Sequence, residues 1–357
     1  MAEPRQNPRP DRPLLSITIP TYNRSPFLAQ LLECLLSELK TPRPGEPYAE
    51  LIISDNASSD NTQSMLEGFR QRGLPFRYVR NATNLGADAN FLQCLEMASG
   101  KYAWILGDDD LLAPNAIARL LAMLHAAESD FDLVYLSSAG FAGADKPVPV
   151  HDKLGRFAEL VTDGDYFLEK VNGLIGLISV NIVNKDRLLA TPHPEISELN
   201  GTSLLQVGWL FPVLHRRCRV LYVWERLLYY RHFNSGGWGI CEVFGLRLGC
   251  IAQRYFTKEP SLANALMQGV LRYWLPDAII EMRRGRQRTM HTEDFLNTLR
   301  PAFAGQWRFW LFVYPVAATP MVLAVPIHKL LRSFNKASRA IQALVRFTLR
   351  RGSLIEP

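Results

Sequence analysis

The sequence predicts an α/β fold, a mostly parallel sheet flanked by helices, followed by a helical, membrane-associating C-terminal region. Three observations carry this. Short apolar runs alternate four times with helical runs in the first third of the chain, the pattern of a parallel sheet covered by helices. Each apolar run ends in a cluster of Asp, Asn, Thr or Gly. The last part, residues 283–357, joins an uncharged run to an excess of Lys and Arg.

The elements follow in order. Leu14-Leu-Ser-Ile-Thr-Ile-Pro20 reads as a buried strand stopped by Pro20. Pro26 suits the first turn of a helix reaching Leu39. Residues 49–54 form a second strand, which meets Asp55-Asn-Ala-Ser-Ser-Asp60, and a helix covers 62–71. A third strand spans 76–80, a turn falls at Asn84-Leu-Gly86, and a helix covers 87–98. The fourth strand, 102–106, runs into Gly107-Asp-Asp-Asp110, and a helix begins near Pro114. In parallel sheets ligands bind beyond the carboxyl ends of the strands, so the four polar exits mark a binding edge. No Gly-x-Gly-x-x-Gly or Gly-Lys-Ser/Thr cradle is present, so a phosphate bound there needs another neutraliser, most simply a metal.

Composition narrows the class. Hydrophobic residues make up 48% and charged residues 21%, which excludes a wholly disordered or collagen-like chain. Five Cys, none in a Cys-x-x-Cys pair, argue against a disulfide framework or a thiolate zinc site. Residues 1–13 are polar and proline-rich, expected to be disordered and not a signal peptide. Residues 283–357 hold 13 Lys and Arg against 3 Asp and Glu. A basic tail calls for an anionic partner, nucleic acid or membrane; no recognition motif accompanies the charge, which favours a membrane.

Asp108, Asp109 and Asp110 are consecutive after an apolar strand. Adjacent carboxylates repel, and a hard divalent ion, Mg²⁺ or Mn²⁺, compensates them while keeping positions open for phosphates. The simpler alternative is Asp110 capping the next helix.

These segments also carry a resemblance. Ile19-Pro-Thr-Tyr-Asn-Arg24, Ile53-Ser-Asp-Asn-Ala-Ser-Ser-Asp60, Asn84-Leu-Gly86 and Ser99-Gly-Lys-Tyr…Leu106-Gly-Asp-Asp-Asp110 resemble, in order and spacing, the donor-binding half of family 2 glycosyltransferases of GT-A fold. Bacterial O-antigen and surface-polysaccharide transferases, the abequosyltransferase-like group included, are the most similar. The resemblance covers residues 14–125 well and weakens toward 235. It implies a nucleotide-diphospho-sugar donor held by Thr21, Asn23, Asp55, Asp60, Asn84 and Asp108, and a metal held by Asp109 and Asp110. The family's first metal-motif Asp is replaced by Gly107, so its first shell departs from the pattern.

The resemblance also implies an acidic base at a later helix start, where Leu205 and Gln206 stand. The nearest carboxylates are Glu198 and Glu195, with Glu198 the closer. Tyr230-Arg-His-Phe-Asn-Ser-Gly-Gly-Trp-Gly239 reads as a mobile loop whose Arg231 and His232 meet a diphosphate and whose Trp238 forms an aromatic tip. The uncharged run 309–327 is barely long enough to span a bilayer, and Pro315, Pro320 and Pro326 interrupt it. Basic flanks on both sides favour one membrane face. Beyond Ile327, helical spacing sets Leu330, Leu331, Phe334, Ile341, Leu344 and Val345 against Lys329, Arg332, Lys336, Arg339, Arg346 and Arg350. The expected organisation is a transferase domain over 14–240, a helical extension over 241–306 and a membrane-associating tail over 307–357. The expected function is transfer to a polyprenyl-diphosphate-linked glycan, inverting and metal-dependent, at the cytoplasmic face of the inner membrane. The rival is a nucleotide-sugar-binding scaffold that has lost catalysis.

Overall fold

The structure, a computed structural model, describes residues 12–39, 47–126, 130–141, 157–232, 237–285, 291 and 293–351, with side chains up to residue 338. The N-terminal segment 1–11, residues 233–236 of the expected loop and the side chains of Arg339, Ile341, Leu344, Val345, Arg346 and Arg350 lie outside it.

The expected alternation is present: β1 (Leu15–Thr21), α1 (Ser25–Leu36), β2 (Ala49–Asp55), α2 (Thr62–Gln71), β3 (Arg77–Arg80), α3 (Ala87–Met97) and β4 (Tyr102–Ile105). These strands pair in parallel in the order β3-β2-β1-β4. β1 is buried along its whole length, as a central strand covered on both faces must be. Helix α1 turns Leu28, Leu31, Leu32 and Leu35 inward, the spacing of one helical face. The register sets Thr21 beside Asp55, and Asp55 beside Arg80, so three polar exits lie on one edge.

Beyond β4 the sheet becomes mixed. It continues with β5 (Leu111–Leu112), β6 (Leu133–Phe141), β7 (Ala158–Val161), β8 (Asn181–Asn184) and β9 (Val220–Arg231). β8 joins β4 and β6 antiparallel, and β6 runs parallel to β9. β5 and β7 pair antiparallel with β9. β9 therefore returns to the exit of β4, with Leu111 opposite Tyr229. The helix α4 (Ala116–His125) follows Asn115, which has a positive φ of 61°. Its cap is Glu38, whose carboxylate accepts from the N–H groups of Ala116 (3.2 Å) and Ile117 (2.7 Å). Asp110 is not that cap.

Helices α5 (Gly164–Val171), α6 (Lys185–Ala190), α7 (Val207–Leu210), α8 (Leu248–Tyr255) and α9 (Pro260–Gly269) complete the flanks. α5 and α9 meet so closely that a Cβ on Gly269 would stand 2.4 Å from the Glu169 carbonyl oxygen. The remaining helices are α10 (Leu275–Arg283), α11 (Phe295–Phe303), α12 (Tyr314–Ala318) and α13 (Met321–Arg351).

The C-terminal region corrects one expectation. The chain breaks at Thr319–Pro320, but Pro326 lies inside α13. Much of the apolar run packs on the protein itself: Phe309, Phe312, Val313, Val316 and Ala324 are buried. Polar bonds pin the inner face of α13, His328 to Asp277 (2.6 Å) and Asn335 to Arg272 (2.8 Å). Burying both apolar area and satisfied polar groups favours this docking. The outer surface keeps Trp307, Trp310, Leu311, Val322, Leu323, Leu330 and Phe334 exposed. Among the described residues no helix is long and apolar enough to cross a membrane.

Candidate functional site

The exits are stapled together by side chains. Asn23 takes φ 53°, a left-handed conformation that Asn tolerates. Its Oδ1 accepts from the N–H of Ser59 (2.6 Å) and Asp60 (3.3 Å), tying the first exit to the second. Asp60 accepts from the N–H groups of Ser25 (3.0 Å) and Thr62 (3.1 Å), at the starts of α1 and α2. Burial opposes its ionisation, but bonds from Thr62 and Ser25 prevail and hold its carboxyl below the usual range.

Asp55 is wholly buried. Its Oδ1 accepts from Ser58 N–H (2.8 Å) and its Oδ2 from the Tyr78 hydroxyl (2.6 Å), with Arg80 Nε at 3.5 Å. Burial first, and this bond second, push the Tyr78 phenol well above its usual range. At the third exit Asn84 Oδ1 accepts from Asn56 Nδ2 (2.7 Å) and Gly86 N–H (2.9 Å), while Asn56 Oδ1 accepts from Asn81 Nδ2 and Leu85 N–H.

The fourth exit holds the carboxylates. Gly107 donates its N–H to Ser179 Oγ (2.8 Å). A Cβ there would lie 3.2 Å from Asp110 Oδ2, 3.2 Å from Ser179 Oγ and 3.3 Å from Asp109 Oδ1. The position where the resemblance implies an Asp thus has a crowded floor. Asp108 is 3% exposed and accepts from Thr21 Oγ1 (2.7 Å). Its Oδ1 lies 3.2 Å from Arg24 Nη1, and Asp109 Oδ2 lies 2.6 Å from Arg24 Nη2. Burial pushes the Asp108 carboxyl up to about 7, against the pull of Arg24 and with the repulsion of Asp109. Burial and the Asp109 charge also raise Asp110.

Arg231 closes this site from β9. Its N–H donates to Asp110 Oδ1 (3.0 Å), its Nε to the Asp109 carbonyl (3.0 Å) and its Nη2 to Gln30 Oε1 (2.8 Å). Its guanidinium lies over Phe27 and Phe141. The fold therefore brings together Thr21, Asp108, Asp109, Asp110 and Arg231, with Asn23, Asp55, Asp60 and Asn84 on the same edge.

Other expected residues are held by contacts of their own. His232 packs edge-on against Tyr230, and burial lowers its pKa. Trp238 packs against Phe244 and the core, so it is not an exposed aromatic tip. Glu198 lies on a short helical turn, Ile196–Leu199, in an exposed ion pair with Arg254, and the Glu195 carbonyl accepts from the Glu198 N–H. Gln206 is buried. Its Nε2 donates to the Gly176 carbonyl (2.5 Å), and its Oε1 has no partner among the described residues. Arg24 and Ser179 were not singled out from sequence. Arg24 is the last residue of a quoted motif, whereas Ser179 comes from a segment with no local signal.

Among the described residues no three His, Cys, Asp or Glu groups converge as a complete metal cage. The donor set nevertheless fits a hard divalent ion. Two carboxylates face one cationic position, and such ions are often bound by one or two carboxylates plus substrate phosphates. A cleft of about 740 Å³ lined by Asp163, His215, Arg216 and Glu259 opens near the start of β9, at the opposite end of the sheet.

Residues 16–159 match the model of glycosyl transferase family 2. Over that stretch the chain is similar to family 2 glycosyltransferases. Its helices-on-sheet architecture and its strand exits are those of a GT-A-like fold. The abequosyltransferase RfbV of Salmonella typhimurium is 40% identical over 133 residues, 37% of this chain and 38% of that protein. The GalNAc(5)-diNAcBac-PP-undecaprenol beta-1,3-glucosyltransferase of Campylobacter jejuni is 29% identical over 30% of this chain and 34% of its own length. The chain thus spans little more than a third of the curated relatives it matches. TarS residues 1–349 of S. aureus, in a complex with UDP-GlcNAc, superposes with a TM-score of 0.55 over 90% of this chain and 92% of that one, at 16% identity. That likeness is one of fold, and it extends past residues 16–159 into the helical region.

Proposed function

We propose that the protein transfers a sugar from a nucleotide-diphospho-sugar to a polyprenyl-diphosphate-linked glycan in cell-surface polysaccharide synthesis. The reaction is inverting and uses Mg²⁺ or Mn²⁺. The observation that carries the reading is the pair Asp108 and Asp109, both turned to one cationic position at the carboxyl edge of the sheet. A diphosphate leaves when its charge is neutralised, and a divalent ion held there supplies that neutralisation. Asp108 and Asp109 would hold it, in place of the expected pair Asp109 and Asp110, because Asp110 Oδ1 already accepts from the Arg231 N–H. Thr21, Asn23, Asp55, Asp60 and Asn84 shape the donor pocket.

Inversion needs a base for the acceptor hydroxyl. Glu198, then Glu195, are the proposed carriers. The acceptor class is supported by the names of the relatives, one of which states an undecaprenyl-linked substrate. The site of action is proposed to be the cytoplasmic face of the inner membrane, held peripherally. Trp307, Val322 and Leu330, 59%, 78% and 71% exposed, with exposed Lys329, Arg332 and Lys336, present apolar and cationic groups to an anionic surface. A second reading, a donor-binding scaffold without turnover, is favoured by one observation: Gln206 stands buried where the family implies an acid.

The test is turnover of nucleotide sugars with extracted lipid-linked acceptor, with and without Mn²⁺, followed by the anomeric configuration of the product. Asp109→Ala is expected to remove metal-dependent donor binding. Donor binding by wild type without any transfer to any lipid-linked acceptor would favour the scaffold.

A further inference from the structure

We propose that Arg24 is an internal counter-cation for the carboxylate pair, displaced by the divalent ion and then free to pair with the donor's diphosphate. The inference rests on reading this segment as a metal–diphosphate site, and it deepens that reading by assigning a residue that both gates the ion and binds the phosphates.

The geometry is specific. Two nitrogens of one guanidinium reach two different carboxylates, Asp108 Oδ1 at 3.2 Å and Asp109 Oδ2 at 2.6 Å. A planar fork spanning both places its charge between them, where an ion bridging the same oxygens would lie. Asp108 is almost fully buried, and a buried carboxylate without a partner is costly. Arg24 is the cation that partners the pair when no metal is bound. The charge balance fits such an exchange: two carboxylates with Arg24 sum to −1, and with a divalent ion to zero, which would leave the Arg24 charge over for phosphate.

Arg24 is also built to move. Its backbone is anchored, because its carbonyl accepts from the N–H groups of Phe27 (3.0 Å) and Leu28 (3.1 Å) at the start of α1. Its side chain is 30% exposed. The Phe27 ring, 5.5 Å from its guanidinium carbon, flanks it beside the site. Arg231, the other arginine here, is fixed by bonds to Asp110, Asp109 and Gln30. Of the two, Arg24 is the one whose charge can change partners while its backbone stays in place.

The experiment uses the full chain as wild type, Arg24→Gln and Arg24→Lys. Mn²⁺ binding without nucleotide is read from the spectroscopic signal of the free ion. Binding of UDP, GDP, CDP and dTDP at saturating Mn²⁺ is read by calorimetry. Arg24→Gln is expected to bind Mn²⁺ about tenfold more tightly and the preferred nucleoside diphosphate about tenfold more weakly. Arg24→Lys, a single-point charge that cannot fork, should fall between on both readouts. Unchanged or weaker Mn²⁺ binding in both variants overturns the counter-cation role. Unchanged nucleotide affinity in both overturns the handover to phosphate. If wild type and both variants bind neither Mn²⁺ nor any nucleotide, the metal–diphosphate reading itself falls, and this inference with it.

Discussion

The backbone N–H of Arg231 donates to Oδ1 of Asp110 at 3.0 Å across 121 residues of sequence. This bond closes the end of β9 over the exit of β4, and the Arg231 Nε bond to the Asp109 carbonyl reinforces it. The acidic segment is thereby held from both sides, by Arg24 and by Arg231.

Asp55→Ala should do two things at once. Both carboxylate oxygens accept hydrogen bonds in a fully buried setting, so their loss costs about 1–3 kcal/mol of stability. Nucleoside diphosphate affinity should fall as well. Denaturant titration and calorimetry read the two effects separately. A stability loss with unchanged nucleotide affinity would confine Asp55 to holding the turn.

Glu198→Gln should barely alter stability, because its partner Arg254 is on the surface and exposed pairs contribute little. A fall in turnover with an unchanged donor dissociation constant is then a chemical effect. Near-normal turnover would move the base to Glu195 or replace inversion by retention.

Gly107→Asp, which puts an acid where the resemblance implies one, is expected to destabilise the protein by about 1–3 kcal/mol. The new Cβ meets Asp109, Asp110 and Ser179 at 3.2–3.3 Å, and its charge joins carboxylates already raised by burial. Mn²⁺ should recover part of the loss. Equal or greater stability in metal-free urea titration would show that the floor is not crowded.

The C-terminal surface should bind vesicles that contain anionic lipid, and high salt should release only part of the protein. Substituting Trp307, Leu330 and Phe334 together by Ser should weaken binding without unfolding, because all three are exposed. A tag after Pro357 should stay protected in intact spheroplasts. Labelling it from outside would show that the chain crosses the bilayer.

The sequence by itself determined the parallel half of the sheet. Its four parallel strands, their helices and the polar exits were legible because they rest on local signals, apolar period and turn residues, that each segment carries alone. Asp108 and Asp109 were legible for the same reason, as consecutive acids after a strand. What tertiary structure decided is where distant groups land. It placed Ser179 under Gly107, Arg231 over Asp110 and Arg24 between two carboxylates. It also buried Phe309, Phe312 and Val313, which as a bare run read as lipid-facing. An apolar side chain satisfies a protein core and a bilayer equally well, so composition cannot distinguish them. Only the docking of α12 and α13 on α10, through contacts such as His328 with Asp277, separated the inner face from the outer one.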